Sequence, residues 1–200
     1  MPNTKFSPSI DSRPTYAGLV SQGAAPGIMV ADAAGADALV DLASADSSVM
    51  DRAHVLLVGV AADTVSRIEA LHPKALHGAP DLEAATPLVK RLLSAARMGT
   101  TLYLAGSEGL MGHVAALATA EGLPLEAIQM EHRGTVARRM QCVHCKGITE
   151  DVTTDPFTCS HCGLTLFVRD HFSRRLGAFQ GVCVDAETPG VVPDAQEIRA

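Results

Sequence analysis

The most specific chemical feature of the sequence is a set of four cysteines in two Cys-x-x-Cys pairs, Cys142/Cys145 and Cys159/Cys162. Four thiolates that converge on one point form a tetrahedral site for a soft metal ion, and zinc is the leading candidate. The linker between the pairs, 146–158, is short enough for one small β-ribbon to bring the sulfurs together. We therefore predict a structural zinc ribbon, in which metal binding contributes on the order of 10 kcal/mol to folding.

An iron centre is the alternative at the same four cysteines, because two such pairs also hold iron in rubredoxin-like electron-transfer proteins. The short linker and the few neighbouring aromatic residues favour zinc; the nearby aromatic side chains are Phe157, Phe167 and Phe172. His144 and His161 lie inside the pairs and could each replace a cysteine, but with four sulfurs available we expect both to be exposed bystanders. Cys183 stands apart, and we do not expect it to be a fifth ligand.

The chain before the cysteines has the pattern of an α/β domain, in which short apolar strands alternate with helix-like segments. Strands are predicted at 27–32, 54–60, 101–105 and 125–131, and helices at 35–45, 63–71, 82–97 and 110–121. Strands that alternate with helices across short turns predict a small parallel, Rossmann-like sheet flanked by helices. The expected organisation is a loosely ordered lead-in (1–25), the α/β domain (26–132), the zinc ribbon with an interface segment (133–184) and a tail (185–200).

Composition and charge narrow the classes of partner and compartment. The 200 residues contain no apolar run long enough to span a bilayer, and the N-terminal residues lack the pattern of a secretory signal, so we expect a cytoplasmic protein without membrane contact. In a reducing compartment, paired cysteines indicate metal rather than disulfides. The net charge of −6 and the lack of a basic stripe with stacking aromatics argue against nucleic-acid binding.

The charge is unevenly distributed between the two parts of the chain. Segment 132–176 holds seven basic and four acidic residues, a net charge of +3, so the remainder carries −9. A basic module can dock onto an acidic partner surface, although scatter over a solvated face gives the same count.

A segment rich in arginine and aromatic residues follows the second cysteine pair, at 166–182. Such a mixture is typical of protein interfaces, and the predicted contact residues are Arg169, His171, Phe172, Arg174 and Arg175. A solvated turn whose arginine stems cover the ribbon is the alternative. We do not expect Asp170 and His171 to be a catalytic pair, because neighbours on a strand point to opposite sides and no nucleophile is evident. No catalytic or cofactor-binding residue is predicted in this chain.

The βαβ unit at 101–131 resembles the end of the pyridine-nucleotide half of ferredoxin-reductase-type flavoproteins. The turn here is Ala105-Gly106-Ser107, which lacks the cysteine and proline of that family. The turn at 59–63, after the strand 54–60, also lacks the glycines that let backbone amides approach a pyrophosphate. The resemblance implies a nicotinamide-cofactor half-domain. Because both turns depart from the family pattern, we favour the alternative, a relic of that scaffold that is now used for assembly, and keep Ser107 and Glu108 only as candidate residues there.

The stretch 138–182, with both cysteine pairs and the string Arg169-Asp170-His171-Phe172-Ser173-Arg174-Arg175, is similar to the small subunit family of bacterial dimethylamine monooxygenase. The resemblance implies a heteromeric enzyme that uses NADPH and dioxygen to convert dimethylamine to methylamine and formaldehyde. It further implies partners that carry the redox chemistry, a haem-containing oxygenase subunit and a flavin/iron–sulfur reductase subunit. NADPH, FMN, iron–sulfur and haem are expected only on those partners, and this chain is expected to be the accessory subunit that docks them.

Overall fold

A computed structural model of the chain describes residues 12–198. Four α-helices cover α1 (Ala36–Ala45), α2 (Ala62–Glu69), α3 (Leu82–Ser94) and α4 (Glu108–Ala120). The strands of the first half are β1 (Gly27–Ala31), β2 (Ala53–Val58), β3 (Ala75–Ala79), β4 (Thr101–Gly106) and β5 (Ile128–His132). Those of the second half are β6 (Arg138–Cys142), β7 (Ile148–Val152), β8 (Thr154–Asp155), β9 (Phe157–Thr158), β10 (Thr165–Ser173), β11 (Ala178–Cys183) and β12 (Gln196–Glu197). Two 3₁₀ turns span Ser47–Arg52 and Leu125–Ala127.

The first five strands form one parallel sheet in the order β3-β2-β1-β4-β5. Strands β1 and β4 are buried along their whole length, because helices cover both faces. On one face, Leu39 and Leu42 of α1 pack on the sheet. On the other, Val89 of α3 and Val114 of α4 do so. This confirms the predicted α/β fold with a parallel sheet flanked by helices.

Strand β3 is absent from the predicted elements. Its sequence, Ala75-Leu76-His77-Gly78-Ala79, is half exposed and contains a glycine and two alanines, which have low strand propensity. Full register with β2 creates the strand, and the Gly59 amide adds a hydrogen bond to the Ala79 carbonyl at 2.9 Å. Edge pairing therefore overrides the weak local preference.

The second half forms a five-stranded sheet in the order β7-β6-β11-β10-β9, in which β6 and β11 are parallel and the other pairs antiparallel. We refer to 138–183 as the ribbon lobe. It has a small hydrophobic core of its own. Its buried members are Met140, Cys142, Val152, Phe157, Cys159, Leu166 and Phe179. Metal binding is thus not the sole source of stability for this lobe.

The ribbon lobe packs on α4 through two glycines that touch backbone to backbone. A Cβ built on Gly112 of α4 would lie 2.5 Å from the Gly177 carbonyl oxygen, and one on Gly177 would overlap the Gly112 carbonyl. Gly177 also has a left-handed backbone, with φ of 60°. Both positions therefore require glycine for this close approach.

The described parts of the lead-in and of the tail both form hydrogen bonds with the rest of the chain. Residues 12–25 contain no helix or strand, but the Gly18 amide bonds to the Met130 carbonyl at 3.2 Å, and the Gln22 amide to the Tyr103 hydroxyl at 3.2 Å. In the tail, β12 pairs with β8, and the Ile198 amide bonds to the Thr153 carbonyl at 2.9 Å. Residues 1–11 and 199–200 of these two segments lie outside the described residues.

Within residues 12–198, each helix is too short or too polar to cross a lipid bilayer.

Candidate metal centre

The two cysteine pairs occupy turns with the same backbone hydrogen bonding. Cys142 ends β6, and its carbonyl accepts the Lys146 amide at 3.0 Å. Cys159 follows β9, and its carbonyl accepts the Gly163 amide at 3.0 Å. The residue after each pair has a left-handed backbone, with φ of 65° at Lys146 and 74° at Gly163. Two equivalent turns thus point their sulfurs toward each other across the ribbon lobe.

The four sulfur atoms lie within 4.8 Å of one another. The Sγ atoms of Cys142 and Cys162 are 3.8 Å apart, and those of Cys145 and Cys159 are 3.7 Å apart. These distances exclude disulfides, in which the sulfurs are bonded at about 2 Å. A tetrahedral ion with metal–sulfur bonds of about 2.3 Å separates its ligands by roughly 3.8 Å. The arrangement could therefore bind a metal ion.

The ionisation of these thiols differs within the second pair. Burial disfavours the Cys159 thiolate, but the amides of Cys162 and His161 donate to its sulfur and, with neighbouring thiols, lower the pKa of Cys159 to about 6. At Cys162, the Leu164 amide favours the thiolate, but burial and the other sulfurs outweigh it and raise the pKa to about 12. Neighbouring thiols thus favour one thiolate, at Cys159, and oppose a second, at Cys162; a cation at their centre removes that opposition.

The other candidate ligands stay outside this group of sulfurs. His144 and His161 are exposed, and His161 Nε2 lies 2.7 Å from the Ile148 carbonyl oxygen. Cys183 is half-buried and its Sγ is 3.0 Å from Asp185 Oδ1. Within residues 12–198, Cys142, Cys145, Cys159 and Cys162 are the group of at least three ligand side chains that could share one ion.

The predicted interface residues lie on β10 and in the turn that follows it. The side chains of Arg169, His171, Arg174 and Arg175 are exposed. Phe172 is only half-exposed and packs edge-on against Phe179, with ring centroids 4.9 Å apart. Four of the five predicted residues are therefore accessible to another protein.

A buried charge cluster joins the lead-in, α4 and the ribbon lobe. The Glu108 carboxylate is 2% exposed and accepts the Tyr16 hydroxyl at 2.7 Å. Arg138 Nε lies 3.9 Å from Glu108, and Arg138 donates to Asp170 at 2.7 Å. Arg13 also donates to Asp170, at 3.0 Å. Burial raises the pKa of Glu108, against its Tyr16 and arginine contacts.

Glu108 is among the candidate residues of the sequence, but the cluster around it was not predicted. Its members are spread over more than 150 positions, and no local spacing links them. The cluster links three parts of the chain, because Arg138 and Asp170 belong to the ribbon lobe, Glu108 to α4, and Arg13 and Tyr16 to the lead-in.

Comparison with known families now adds to the geometry. A family model described as "Dimethylamine monooxygenase subunit DmmA-like, N-terminal domain" matches residues 8–128, more than half of the chain. The model for the C-terminal domain of the same family matches 139–182, which includes all four cysteines. The chain belongs to the DmmA-like family. This confirms the resemblance to that family, which is close over 138–182 and looser over the N-terminal part.

Two individual proteins are similar to this DmmA-like chain. The heme-dependent oxidative N-demethylase delta subunit of Ectopseudomonas mendocina (strain ymp) is 43% identical over 103 residues, which are 50% of this chain. The match spans 59% of that protein's length. A solved phthalate dioxygenase reductase, a modular structure for electron transfer from pyridine nucleotides to [2Fe-2S], covers 66% of this chain and 46% of its own, with 11% identity and a TM-score of 0.41.

Proposed function

We propose that this chain is an accessory subunit of a heteromeric, NADPH- and dioxygen-dependent dimethylamine monooxygenase. In that role it carries no catalytic residue of its own and docks a haem-containing oxygenase subunit and a flavin/iron–sulfur reductase subunit. Membership of the DmmA-like family supports the role, and so does the 43% identity to a subunit of a heme-dependent oxidative N-demethylase. Haem, FMN, iron–sulfur and NADPH belong to the partner subunits.

We propose zinc as the ion of the four-cysteine centre. Four sulfur ligands without an exchangeable position are typical of structural zinc, which is held by tetrahedral thiolates and does no redox chemistry. The sulfur spacing of 3.7–3.8 Å supports a tetrahedral ion, and the five free thiols of the described residues suit a reducing cytoplasm. The ion's contribution is to fix the ribbon lobe; it supplies no step of the demethylation.

The docking surface is the exposed side of β10 and its following turn, with Arg169, His171, Arg174 and Arg175, and Phe172 at its margin. The main support for this surface is that four of these side chains are exposed. The lobe that bears them is stabilised by a hydrophobic core, a four-sulfur centre and a buried charge cluster. A rigid lobe presents arginine forks without a large loss of conformational entropy, which favours binding to an acidic partner.

The test is reconstitution. We expect the full chain to co-purify with the two partner subunits and to raise formaldehyde release from dimethylamine over that of the partners alone. The double change Arg174→Ala and Arg175→Ala weakens co-purification at least tenfold, whereas Arg91→Ala, on the exposed side of α3, does not. Unchanged assembly in the double variant would remove β10 as the docking surface. If the purified protein is red and contains stoichiometric iron, the zinc proposal is wrong and the centre is an electron-transfer site.

A further inference from the structure

In a doubly wound sheet, the ligand crevice lies where the strand order reverses. Strand β1 pairs with β2 on one side and with β4 on the other, so the reversal falls between β1 and β4. Dinucleotide-binding proteins of this architecture hold the cofactor pyrophosphate at the carboxyl end of the first strand, on the N-terminus of the next helix. In this chain the corresponding turn is 32–35, between β1 and α1. The observed strand order therefore moves the expected pyrophosphate position from the turn after the strand 54–60 to this turn.

Asp32 occupies this position with its own carboxylate. Its Oδ1 accepts the Gly35 amide at 2.9 Å, and its Oδ2 accepts the Ser107 amide at 2.8 Å. Gly35 precedes α1 and Ser107 precedes α4, so two helix N-termini face the same carboxylate. Their dipoles favour a negative charge there, and the side chain supplies that charge from within the protein.

The turn also leaves no room for a second anion. A Cβ on Gly35 would overlap the Ala105 carbonyl, and a Cβ on Gly106 would overlap the Asp32 carboxylate. From the other side, a Cβ on Gly134 would lie 2.9 Å from the Ala34 methyl. The backbone of β4, the turn 32–35 and the loop after β5 are therefore already at their closest approach.

The cleft in front of this turn is acidic. It has a volume of about 730 Å³ and lies between the carboxyl edge of the sheet and the ribbon lobe; its acidic lining residues are Asp32, Asp81, Glu83, Glu150 and Asp151. The arginine that lines it, Arg139, is paired with Glu150 at 2.6 Å. A nicotinamide dinucleotide carries several negative charges, and the carboxylates of this cleft would repel it.

We propose that the Asp32 carboxylate substitutes for the cofactor pyrophosphate at the β1/β4 crevice, so that this chain binds no nicotinamide dinucleotide there. The reductase-like fold is thus stabilised by an internal anion, and NADPH binding in the complex falls to another subunit. Nicotinamide binding by this chain does not depend on whether the chain docks the proposed partners. The two proposals can therefore fail separately.

The first experiment is an NADPH titration of the purified full chain, followed by nicotinamide fluorescence at low salt. We expect no saturable binding up to about 1 mM, the upper end of the range in which nicotinamide enzymes usually saturate. Saturable binding below that concentration would overturn the proposal, with or without any variant.

The second experiment uses inorganic phosphate as the probe of the anion position. Asp32→Ser removes the carboxylate but keeps a small hydroxyl, so phosphate should raise the melting temperature of this variant more than that of the wild type. The matched control is Asp81→Ser, which alters the acidic cap of α3 on the same edge of the sheet and leaves Asp32 in place. An equal phosphate response in all three proteins would overturn the assignment. If Asp32→Ser does not fold, the NADPH titration of the wild-type chain decides the proposal alone.

Discussion

The contact between Gly112 and Gly177 gives a test of how the ribbon lobe sits on α4. In Gly112→Ala, the new methyl group would lie 2.5 Å from the Gly177 carbonyl oxygen, whereas ordinary contacts begin at 3.4 Å. The lobe must move by roughly 1 Å or the helix must bend, and such overpacking costs about 1–3 kcal/mol. Within a helix, alanine is more stabilising than glycine by up to about 1 kcal/mol, which offsets part of this cost. We therefore expect a net loss of about 1–2 kcal/mol.

The same helix offers a matched control at Gly109. A Cβ there meets its nearest neighbour, Glu150 Oε2, at 3.8 Å, so Gly109→Ala adds helix propensity without a clash. We expect this variant to gain up to about 1 kcal/mol.

Thermal unfolding followed by circular dichroism measures both changes. For a chain of this length, 1 kcal/mol corresponds to about 2–4 °C, so Gly112→Ala should melt about 2–8 °C below the wild type and Gly109→Ala slightly above it. The test is that the two variants change the melting temperature in opposite directions. If both variants melt higher by similar amounts, the close packing of α4 on the ribbon lobe is wrong.

Two further predictions concern ionisable groups. Because burial raises the pKa of Glu108 above its ordinary value of 4.5, its ionisation opposes folding, and this cost appears as the pH rises through the folded-state pKa. Glu108→Gln should therefore gain stability relative to the wild type as the pH rises above 4.5; a difference in urea midpoints that is flat from pH 4 to 8 would contradict this. Cys162→Ser should lose most of its zinc, and with it several of the roughly 10 kcal/mol that structural zinc supplies. Cys183→Ser is the control and should keep stoichiometric zinc by elemental analysis; equal metal contents in the two variants would refute the ligand assignment.

The sequence predicted those parts of the fold that local patterns determine. Strands β2 and β4 are apolar runs buried on both faces, and such runs are recognisable without a partner. The cysteine spacing likewise predicted that four sulfurs meet, since each pair needs only its own turn. By contrast, β3 and β12 become strands only by pairing with β2 and β8, so their own residues give no signal.

The charged features depended on topology and could not be predicted. Asp32 faces the Ser107 amide only because β1 and β4 are neighbours in the sheet, and the sequence of a single segment does not determine the strand order. The cluster of Glu108, Arg138 and Asp170 requires three elements from distant parts of the chain. Side chains of this kind look like ordinary surface charges until their neighbours are known.

The lead-in has a consequence for the order in which the protein matures during synthesis. Arg13 leaves the ribosome well before its partner Asp170, which lies 157 positions later. The parallel sheet is complete at His132, well before that partner emerges. The nascent α/β domain can therefore form the Tyr16–Glu108 hydrogen bond, but it cannot form the Arg13–Asp170 ion pair until β10 is translated. Fragments that end before β10 should be far more sensitive to proteolysis in this N-terminal segment than the complete protein.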